Sequence, residues 1–320
     1  LLVLFTSLCG FFYYFKIGYS KLQFTPDIAM RSKERNIQDF PMPAITICPS
    51  TFTKNLQANY TEVFVFKVAN LSRSKCEFIA ANNQWCATGS NNKVKSSCSQ
   101  WLKEMDSINV LDFINRSGYE RHEVLPERSD FTRIFTNKGI GFSYNIQDFS
   151  MLFNEDKISD DFHYYKNNKN LSNEWTVERG YFYENSTFPK RLTARADDFF
   201  KINLTLEDAR RSCGSMNVAI HLPSEIPNVF LSFLPINYGS ISTVFIKAKS
   251  YRTDDALRKY SADVRKCYFE GERKLEFFKF YSKAHCEMEC AANTSISYCG
   301  CVRFWYPRNK TTRVCKFSDL

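Results

Sequence analysis

Cysteine restricts what this chain can fold into more than any other residue type, because twelve cysteines occur in 320 residues. Keeping so many thiols reduced in the cytosol is costly, whereas extracellular domains use them as cross-links. The sequence therefore predicts a disulfide-stabilised domain in an oxidising compartment. Cys9 lies in an apolar N-terminal run, and the other eleven follow it: Cys48, Cys76, Cys86, Cys98, Cys213, Cys267, Cys286, Cys290, Cys299, Cys301 and Cys315.

Glycosylation acceptors independently indicate the same compartment. The form Asn-x-Ser/Thr is modified only in the secretory pathway. Eight acceptors occur in this chain, where composition alone gives roughly three by chance. The excess predicts an exterior domain, with Asn59, Asn70, Asn115, Asn170, Asn185, Asn203, Asn293 and Asn309 as candidate sites.

The N-terminal run is apolar and uncharged up to Lys16. A helix that spans a bilayer needs about 20 apolar residues, so we expect residues 1–15 to be the outer end of a transmembrane helix truncated at its start. The Phe and Tyr residues before Lys16 are typical of an interfacial aromatic belt. A signal peptide is disfavoured, because a basic leading segment and a small-residue cleavage site are both missing.

Charge and motifs exclude two broad function classes. The net charge is +9, but Lys and Arg are interleaved with Asp and Glu, which is not the basic stripe of a nucleic-acid-binding protein. The sequence has no nucleophile elbow, no HExxH motif and no glycine-rich phosphate loop. No enzyme activity or cofactor is expected, and the histidines have no partner at a diagnostic spacing (His122, His163, His221 and His285).

Four segments have the composition of β-strands. Residues 41–49 are β-branched and bounded by prolines, so Pro43 is expected at the first position or at an edge. Residues 139–145 carry weaker strand signals. Residues 216–222 alternate apolar and polar types, as a half-buried strand does. Residues 242–249 are enriched in β-branched types and are the fourth candidate.

Near the C-terminus, residues 272–292 place apolar residues at near-helical spacing and predict a helix. Cys286 and Cys290 lie at i and i+4 on one face of it, so both can be cross-linked to a neighbouring segment. We expect Cys299 and Cys301 in extended chain, where their side chains point to opposite faces. These cysteines with His285 also match a zinc site, but the secretory signals favour disulfides.

Two other groups of residues have competing interpretations. His221 is either a hydrogen-bonded structural residue or a proton sensor, and the structural role is favoured. A group of carboxylates near the predicted helix is either an acidic pocket with raised affinity for protons or cations, or a solvated helix face. The solvated face is favoured for Glu270, Glu272, Glu276, Glu287 and Glu289.

Three blocks of sequence resemble the degenerin/epithelial sodium channel family, and within it the insect pickpocket branch. The first is Tyr19-Ser20-Lys21 with the strand Pro41-Met42-Pro43-Ala44-Ile45-Thr46-Ile47-Cys48-Pro49. The second combines residues 136–145 and 218–227. The third is the most specific: Leu257-Arg258-Lys259-Tyr260, Arg265-Lys266-Cys267-Tyr268-Phe269, Glu272, Leu275, Phe278, Tyr281, Cys286-x3-Cys290, Cys299-x-Cys301, Pro307 and Cys315.

This resemblance implies an α+β fold: a membrane-anchored, disulfide-rich, hand-like extracellular domain with a β palm, a β ball, a helical finger and a thumb. The implied order is the outer end of the first transmembrane helix (1–15), a connector (16–39), the first palm strand (40–49), a finger-like insertion (50–135), β-ball and palm strands (136–256) and a truncated thumb (257–320).

The resemblance also implies cross-links. Cys301 pairs with Cys315, whereas Cys267, Cys286, Cys290 and Cys299 pair with residues beyond Leu320. Two positions depart from the family. Gly141 replaces the cysteine that usually bonds to the position of Cys48, so Cys48 bonds to Cys76, Cys86, Cys98 or Cys213, or remains a thiol. Val264 replaces a tryptophan that contacts a tyrosine at the membrane exit in acid-sensing relatives, here Tyr19, which argues against acid gating through that contact.

The function implied is a subunit of a homo- or hetero-trimeric, gated cation channel in the plasma membrane. It prefers sodium, is sensitive to amiloride, and senses a ligand, protons or force through its extracellular domain. Its partners are related subunits, the lipid bilayer and sodium ions. The competing hypothesis is a single-pass receptor or adhesion ectodomain that acts as a binding module.

Overall fold

A computed structural model describes residues 2–24, 32–49, 109–137, 139–165, 174–193, 201–204, 215–227, 233–237 and 239–316. The chain divides into two compact units. The N-terminal unit comprises Leu1–Asn36 and Ile246–Arg273, and the sheet unit comprises Ile37–Phe245 and Lys274–Leu320. Several predicted sites lie outside the described residues: Cys76, Cys86, Cys98, Cys213, Asn59, Asn70 and Asn170.

The sheet unit is built on a five-stranded antiparallel sheet in the order β2-β3-β1-β6-β7. A separate two-stranded hairpin, β4-β5, lies between β3 and β6 in sequence. The strands in the described ranges are β1 (Ala44–Pro49), β2 (Phe131–Thr136), β3 (Gly139–Tyr144), β4 (Trp175–Thr176), β5 (Gly180–Tyr181), β6 (Ser215–His221) and β7 (Phe233–Asn237).

Strand β1 is central, because it pairs with β3 on one side and with β6 on the other. Ile45 lies opposite Tyr144 in β3 and Ile220 in β6. Pro43 precedes the strand, where a residue without an N–H removes no sheet hydrogen bond. The predicted strands at residues 41–49, 139–145 and 216–222 are therefore confirmed as β1, β3 and β6.

Each face of the sheet packs against its own hydrophobic core, because neighbouring side chains in a strand point to opposite faces. Ile45 and Ile47 of β1 belong to one core, together with Phe142 of β3 and Phe304. Ala44 belongs to the core on the other face. That second core also contains Ile134, Ile146, Phe149, Leu152, Phe153, Ile158, Phe162, Ile226, Phe277, Phe278 and Met288.

The N-terminal helix α1 extends further than the sequence predicts. It runs over Leu2–Phe24, nine residues past the expected end at Phe15, so the first part of the predicted connector is helical. Its Leu2–Lys21 segment is long and apolar enough to cross a membrane, and none of it is buried within the protein. Lys16 and Lys21 do not end the helix, since long cationic side chains reach from an apolar helix to polar surroundings.

Among the described residues, the remaining helices are short apart from the last. They are α2 (Val110–Ser117), α3 (Arg121–Val124), α4 (Phe149–Leu152), α5 (Ala262–Arg265) and α6 (Lys283–Cys299). Short 3-10 turns lie at Ile37–Asp39, Asp160–Tyr165 and Asp255–Lys259.

The predicted helix at residues 272–292 is wrong in its bounds. Helix α6 begins at Lys283 and includes Cys299, which was expected in extended chain. Residues before it are bent, because side-chain and backbone groups of residues 152–154 take up their hydrogen bonds. Asn154 donates from Nδ2 to the Glu276 carbonyl (2.7 Å), and Lys279 donates its N–H to the Leu152 carbonyl (2.9 Å).

The predicted strand at residues 242–249 is also wrong. Strand β7 pairs with β6 instead, with Ile236 opposite Met216. Residues 242–249 have no strand pairing, and Phe245 is 89% exposed.

Two predicted domain boundaries differ from the observed elements. Strand β2 begins at Phe131, so the end of the predicted finger-like insertion forms an edge of the sheet. The predicted thumb at residues 257–320 is divided, since residues up to Arg273 belong to the N-terminal unit and residues from Lys274 belong to the sheet unit.

Candidate functional site

Helix α6 is anchored within the sheet unit by one face, which carries both polar and apolar side chains. Ser282 caps its start, accepting from the His285 N–H (3.1 Å), and Gly300 ends it in the left-handed conformation that glycine adopts without strain. His285, Met288, Glu289 and Ala292 are its buried residues. Their i, i+3, i+4, i+7 spacing defines a single face directed at the core.

A second face of α6, about 120° around the helix from the buried one, carries two of the cysteines. Cys286 is partly exposed and Cys290 is exposed, and with Asn293 and Ser297 they repeat at i, i+4, i+7, i+11. We call these four residues the cysteine stripe. Within the described part of the chain, neither thiol of the stripe is in a disulfide, nor are Cys267 and the exposed Cys299. The stripe is therefore available to a segment outside the described residues.

The segment after α6 is closed by a disulfide between Cys301 and Cys315, the pair that the family resemblance implies. We call residues 301–315 the disulfide loop. Arg308, 1% exposed, donates from Nη2 to the Asp161 carboxylate (2.6 Å) and from Nη1 to the Phe304 carbonyl (2.9 Å). An exposed pair, Lys310 with Asp160 (2.9 Å), lies beside it. Two ion pairs thus hold the loop against the Asp160–Tyr165 turn.

His285 joins α6 to the turn that follows β6. Its Nε2 accepts from the Ile226 N–H (3.3 Å) and its Nδ1 lies 3.3 Å from the Phe280 carbonyl. The ring is 1% exposed and stacks on Phe278 at 3.9 Å between centroids. Burial lowers the pKa of His285 to about 4. The neutral ring is the form that matches these partners, because Nε2 must accept while Nδ1 donates.

His221 connects the same turn to the sheet. Its Nδ1 lies 2.9 Å from the Leu222 carbonyl, and its Nε2 lies 2.8 Å from Thr46 Oγ1, which contacts Ser143 Oγ at 2.9 Å. These side chains form a hydrogen-bonded row across β6, β1 and β3. Burial lowers the pKa of His221 to about 4. Its observed contacts are those of the favoured structural residue.

The side chains of three of the five predicted acidic residues have partners of their own: Glu289, Glu287 and Glu272. Glu289 is buried and accepts from the N–H groups of Phe277 (2.7 Å) and Glu276 (3.1 Å), and Glu287 pairs with Lys283 (3.6 Å). Glu270 and Glu272 belong to the other unit. Glu272 accepts from the Phe269 N–H and pairs with Arg265. Both contacts lower the pKa of Glu272, and the bond from the Phe269 N–H has the larger effect. Among the described residues, no group of three or more potential metal ligands forms.

The two residues considered for gating both belong to the N-terminal unit. Tyr19 is half exposed near the end of α1, where its ring stacks on Phe15 at 6.2 Å between centroids. Val264 lies in α5 and is 38% exposed. Neither side chain is part of a hydrophobic core.

Cys48 and Gly141 are neighbours in the sheet. Ile47 lies opposite Phe142, and continuing that antiparallel register places Cys48 opposite Gly141. The Cys48 thiol is fully buried, 3.5 Å from Thr136 Oγ1. A Cβ at position 141 would lie 2.6 Å from the Cys48 sulfur. That contact is too short for unbonded atoms and close to the spacing of about 3 Å between a Cβ and the far sulfur of a disulfide.

Replacing Gly141 with cysteine should therefore create a β1–β3 disulfide with Cys48 and stabilise the protein by about 2 to 4 kcal/mol. Gly141→Ala is the matched control, because it adds the Cβ without a thiol and should destabilise by about 1 to 3 kcal/mol through overpacking. Peptide mapping of the non-reduced protein and its unfolding midpoint measure the two effects. Recovery of both thiols in alkylated form would contradict the prediction.

Sequence reasoning missed the Arg308–Asp161 pair and the structural role of His285. The first joins residues 147 positions apart, so no local pattern indicates it. The role of His285 could have been predicted, because its i, i+3, i+7 spacing with Met288 and Ala292 places it on the buried face of α6.

Taken together, these features define a class of protein: an α+β, disulfide-containing domain joined to an apolar N-terminal helix of membrane-spanning length. A family model described as "Amiloride-sensitive sodium channel" matches residues 1–320. The chain belongs to this family, which is a family of membrane ion channels and not of enzymes.

The curated relatives are insect proteins. Pickpocket protein 28 of Drosophila melanogaster is 27% identical over 316 residues, which cover 91% of this chain and 48% of that protein. Sodium channel protein Nach of Drosophila ananassae is 32% identical over 82 residues, covering 25% and 16% respectively. Pickpocket protein 11 of Drosophila melanogaster is 27% identical over 103 residues, covering 32% and 20%. The chain thus spans about half the length of Pickpocket protein 28 and is pickpocket-like.

Proposed function

We propose that this chain is part of a subunit of a gated, sodium-preferring and amiloride-sensitive cation channel, assembled as a trimer of related subunits in the plasma membrane. Channels of the family form trimers. The observation that carries the proposal is the family match over the whole chain, from the apolar helix through the disulfide loop. The pore is assigned to the assembled protein.

The extracellular domain senses a ligand, protons or force and transmits the signal along the backbone. Helix α1 ends at Phe24, and the chain reaches the central strand β1 at Ala44. Because β1 is hydrogen-bonded on both sides, displacement of the sheet pulls directly on this connection. A central strand transmits such a displacement better than an edge strand, which has partners on one side alone.

Helix α6 supports the proposal as a rigid element on the sheet unit. One face is fixed by His285 and Glu289, and its C-terminal end leads into the disulfide loop held by Arg308. Disulfides from Cys286 and Cys290 to a further segment would extend this rigidity. Rigid elements that move as one body are the usual means by which a sensing domain shifts a distant gate.

Whole-cell recording from the full-length subunit, expressed alone and with pickpocket-like partners, tests this function. The inward current should fall to near zero when external sodium is replaced by a large organic cation, and amiloride should block it. Current that is unchanged by the replacement would overturn the sodium assignment. If the protein reaches the cell surface but carries no current with any partner or under any class of stimulus, the receptor or adhesion ectodomain is favoured instead.

A further inference from the structure

We propose that Asn309 carries an N-linked oligosaccharide in the folded protein and that Asn293 does not. The inference depends on the exterior placement contained in the proposed function. It distinguishes among acceptors that all have the same form, Asn-x-Ser/Thr, in the sequence. Five of the eight predicted acceptors are described by the structure: Asn115, Asn185, Asn203, Asn293 and Asn309.

Asn309 is held with its reactive nitrogen available. Its Oδ1 accepts from the N–H and hydroxyl groups of Thr311 (3.1 and 2.9 Å) and of Thr312 (2.8 and 2.7 Å). These bonds use the carbonyl end of the amide and none of them uses Nδ2, the atom to which a sugar is attached. Both Asn309 and Thr311, the two recognised positions of the acceptor, are exposed.

The backbone that carries Asn309 is fixed on both sides. Arg308 pairs with Asp161, Lys310 pairs with Asp160, and Cys301 and Cys315 close the loop. These contacts attach the loop to the rest of the sheet unit, while the Asn309 side chain is exposed. An oligosaccharide at this position needs no rearrangement of the fold.

Two other acceptors are held differently from Asn309. Asn203 donates from Nδ2 itself to the Glu127 carboxylate (3.0 Å), and a sugar on that nitrogen would disturb this bond. Asn115 lies within α2, where its Oδ1 accepts from Arg133 (3.2 Å), and it differs from Asn309 in being only partly exposed. Asn185 is exposed, and the structure leaves it compatible with modification.

Asn293 is exposed but lies within the cysteine stripe, at i+7 from Cys286 and i+3 from Cys290. A segment cross-linked to Cys286 or Cys290 would cover this face of α6. A bulky, hydrated oligosaccharide at Asn293 would occupy the same space. Protein whose stripe is cross-linked must therefore be unmodified at Asn293.

The modification is a group transfer from a lipid-linked oligosaccharide pyrophosphate of the secretory lumen. The Asn309 Nδ2 attacks the anomeric carbon of the first sugar, a carbon–nitrogen bond forms, and the carbon–oxygen bond to the pyrophosphate breaks. The lipid pyrophosphate leaves with the electron pair of that bond, and one Nδ2 proton is released. No oxidant or reductant is required.

Site occupancy in the full-length protein from insect cells tests the proposal. Peptides released by glycosidase in heavy-oxygen water should report high occupancy at Asn309 and none at Asn293. Thr311→Val should remove one oligosaccharide, seen as one step in gel mobility. Thr312→Val is the matched control, because it removes an equivalent hydroxyl bond to Asn309 but leaves the acceptor Asn-Lys-Thr intact, and its mobility should equal the wild type.

The outcomes separate this proposal from the proposed function. Modification at Asn185 with an unmodified Asn309, or wild-type mobility of Thr311→Val, would overturn the assignment of Asn309 while leaving the exterior placement intact. Occupancy at Asn293 in cross-linked protein would overturn the second half of the proposal. Absence of oligosaccharide from every acceptor would overturn both the assignment and the exterior placement.

Discussion

Replacing Asp161 with alanine should destabilise the sheet unit by about 3 kcal/mol, the lower end of the loss for breaking a buried ion pair, because Arg308 is buried but the Asp161 side chain is 39% exposed. The Arg308 side chain is 1% exposed in the pair and would keep its charge without the carboxylate. A guanidinium cannot escape this cost by losing its proton, because its pKa is above about 12. The destabilisation therefore comes chiefly from a desolvated charge left without its partner.

Asp160→Ala is the matched control for this prediction. Asp160 is the neighbouring residue in the same 3-10 turn, and it pairs with Lys310, whose side chain is 58% exposed while that of Asp160 is 65% exposed. A solvated pair of this kind contributes about 0 to 1 kcal/mol. The two variants make the same substitution one position apart, so changes in local backbone preference are nearly matched.

Removing the other partner should cost less than removing Asp161. Arg308→Met leaves Asp161 unpaired, but its side chain is 39% exposed to solvent. Its carboxylate also accepts a hydrogen bond from the Ser159 hydroxyl (2.8 Å). Unfolding midpoints of the purified full-length protein with intact disulfides measure all three variants. If Asp161→Ala is no less stable than Asp160→Ala, the pair does not hold the disulfide loop as described.

Local sequence patterns predicted the central part of the sheet well. Strand β1 was visible because β-branched residues lie between prolines, and β6 was visible because Met216 and Val218 alternate with polar types. Both strands lie inside the sheet, where burial selects such residues. Strand β7 was missed because it contains Pro235, which argues against a strand. Its position at the end of the sheet explains the exception, because an edge strand tolerates a residue without an N–H.

The candidate site was predicted less completely, because its parts are held by tertiary contacts. The apolar spacing of Leu275 and Phe278 suggested an earlier start for helix α6, but these residues contact the second core from a bent backbone. The Cys301–Cys315 bond followed from family resemblance and not from spacing. The contacts of Arg308 and His285 depend on residues far away in sequence, which no local period contains.

Acidification from pH 6.5 to about 4 should weaken the packing of helix α6 on the turn after β6, with His285 as the principal cause. The pKa of His285 is lowered to about 4 in the folded protein from an ordinary 6.5, mainly because the ring is buried. Between these values the unfolded chain binds more protons than the folded chain, so stability falls as the pH falls. The contribution of His285 is fully present above pH 6.5, and its loss is on the order of 3 kcal/mol by pH 4.

Other titrating groups at this turn modify the profile. His221 also has its pKa lowered to about 4, so it acts in the same direction over the same pH range. Glu225 acts in the opposite direction, because burial raises its pKa and the folded state then binds its proton first as the pH falls. Glu225 is also bonded to Ser282, the residue that caps α6. The net slope is therefore smaller than the sum of the two histidines.

His285→Gln isolates the contribution of one histidine. The variant should be less stable than the wild type at pH 7, since glutamine cannot satisfy both the Ile226 N–H and the Phe280 carbonyl in the stacked ring's place. Its stability should nevertheless change less between pH 6.5 and 4, because no proton is taken up at position 285. His122→Gln makes the same substitution at an exposed position and serves as the matched control. Unfolding midpoints of the full-length protein across this pH range decide the matter, and a His285→Gln slope equal to that of the wild type would refute the assignment.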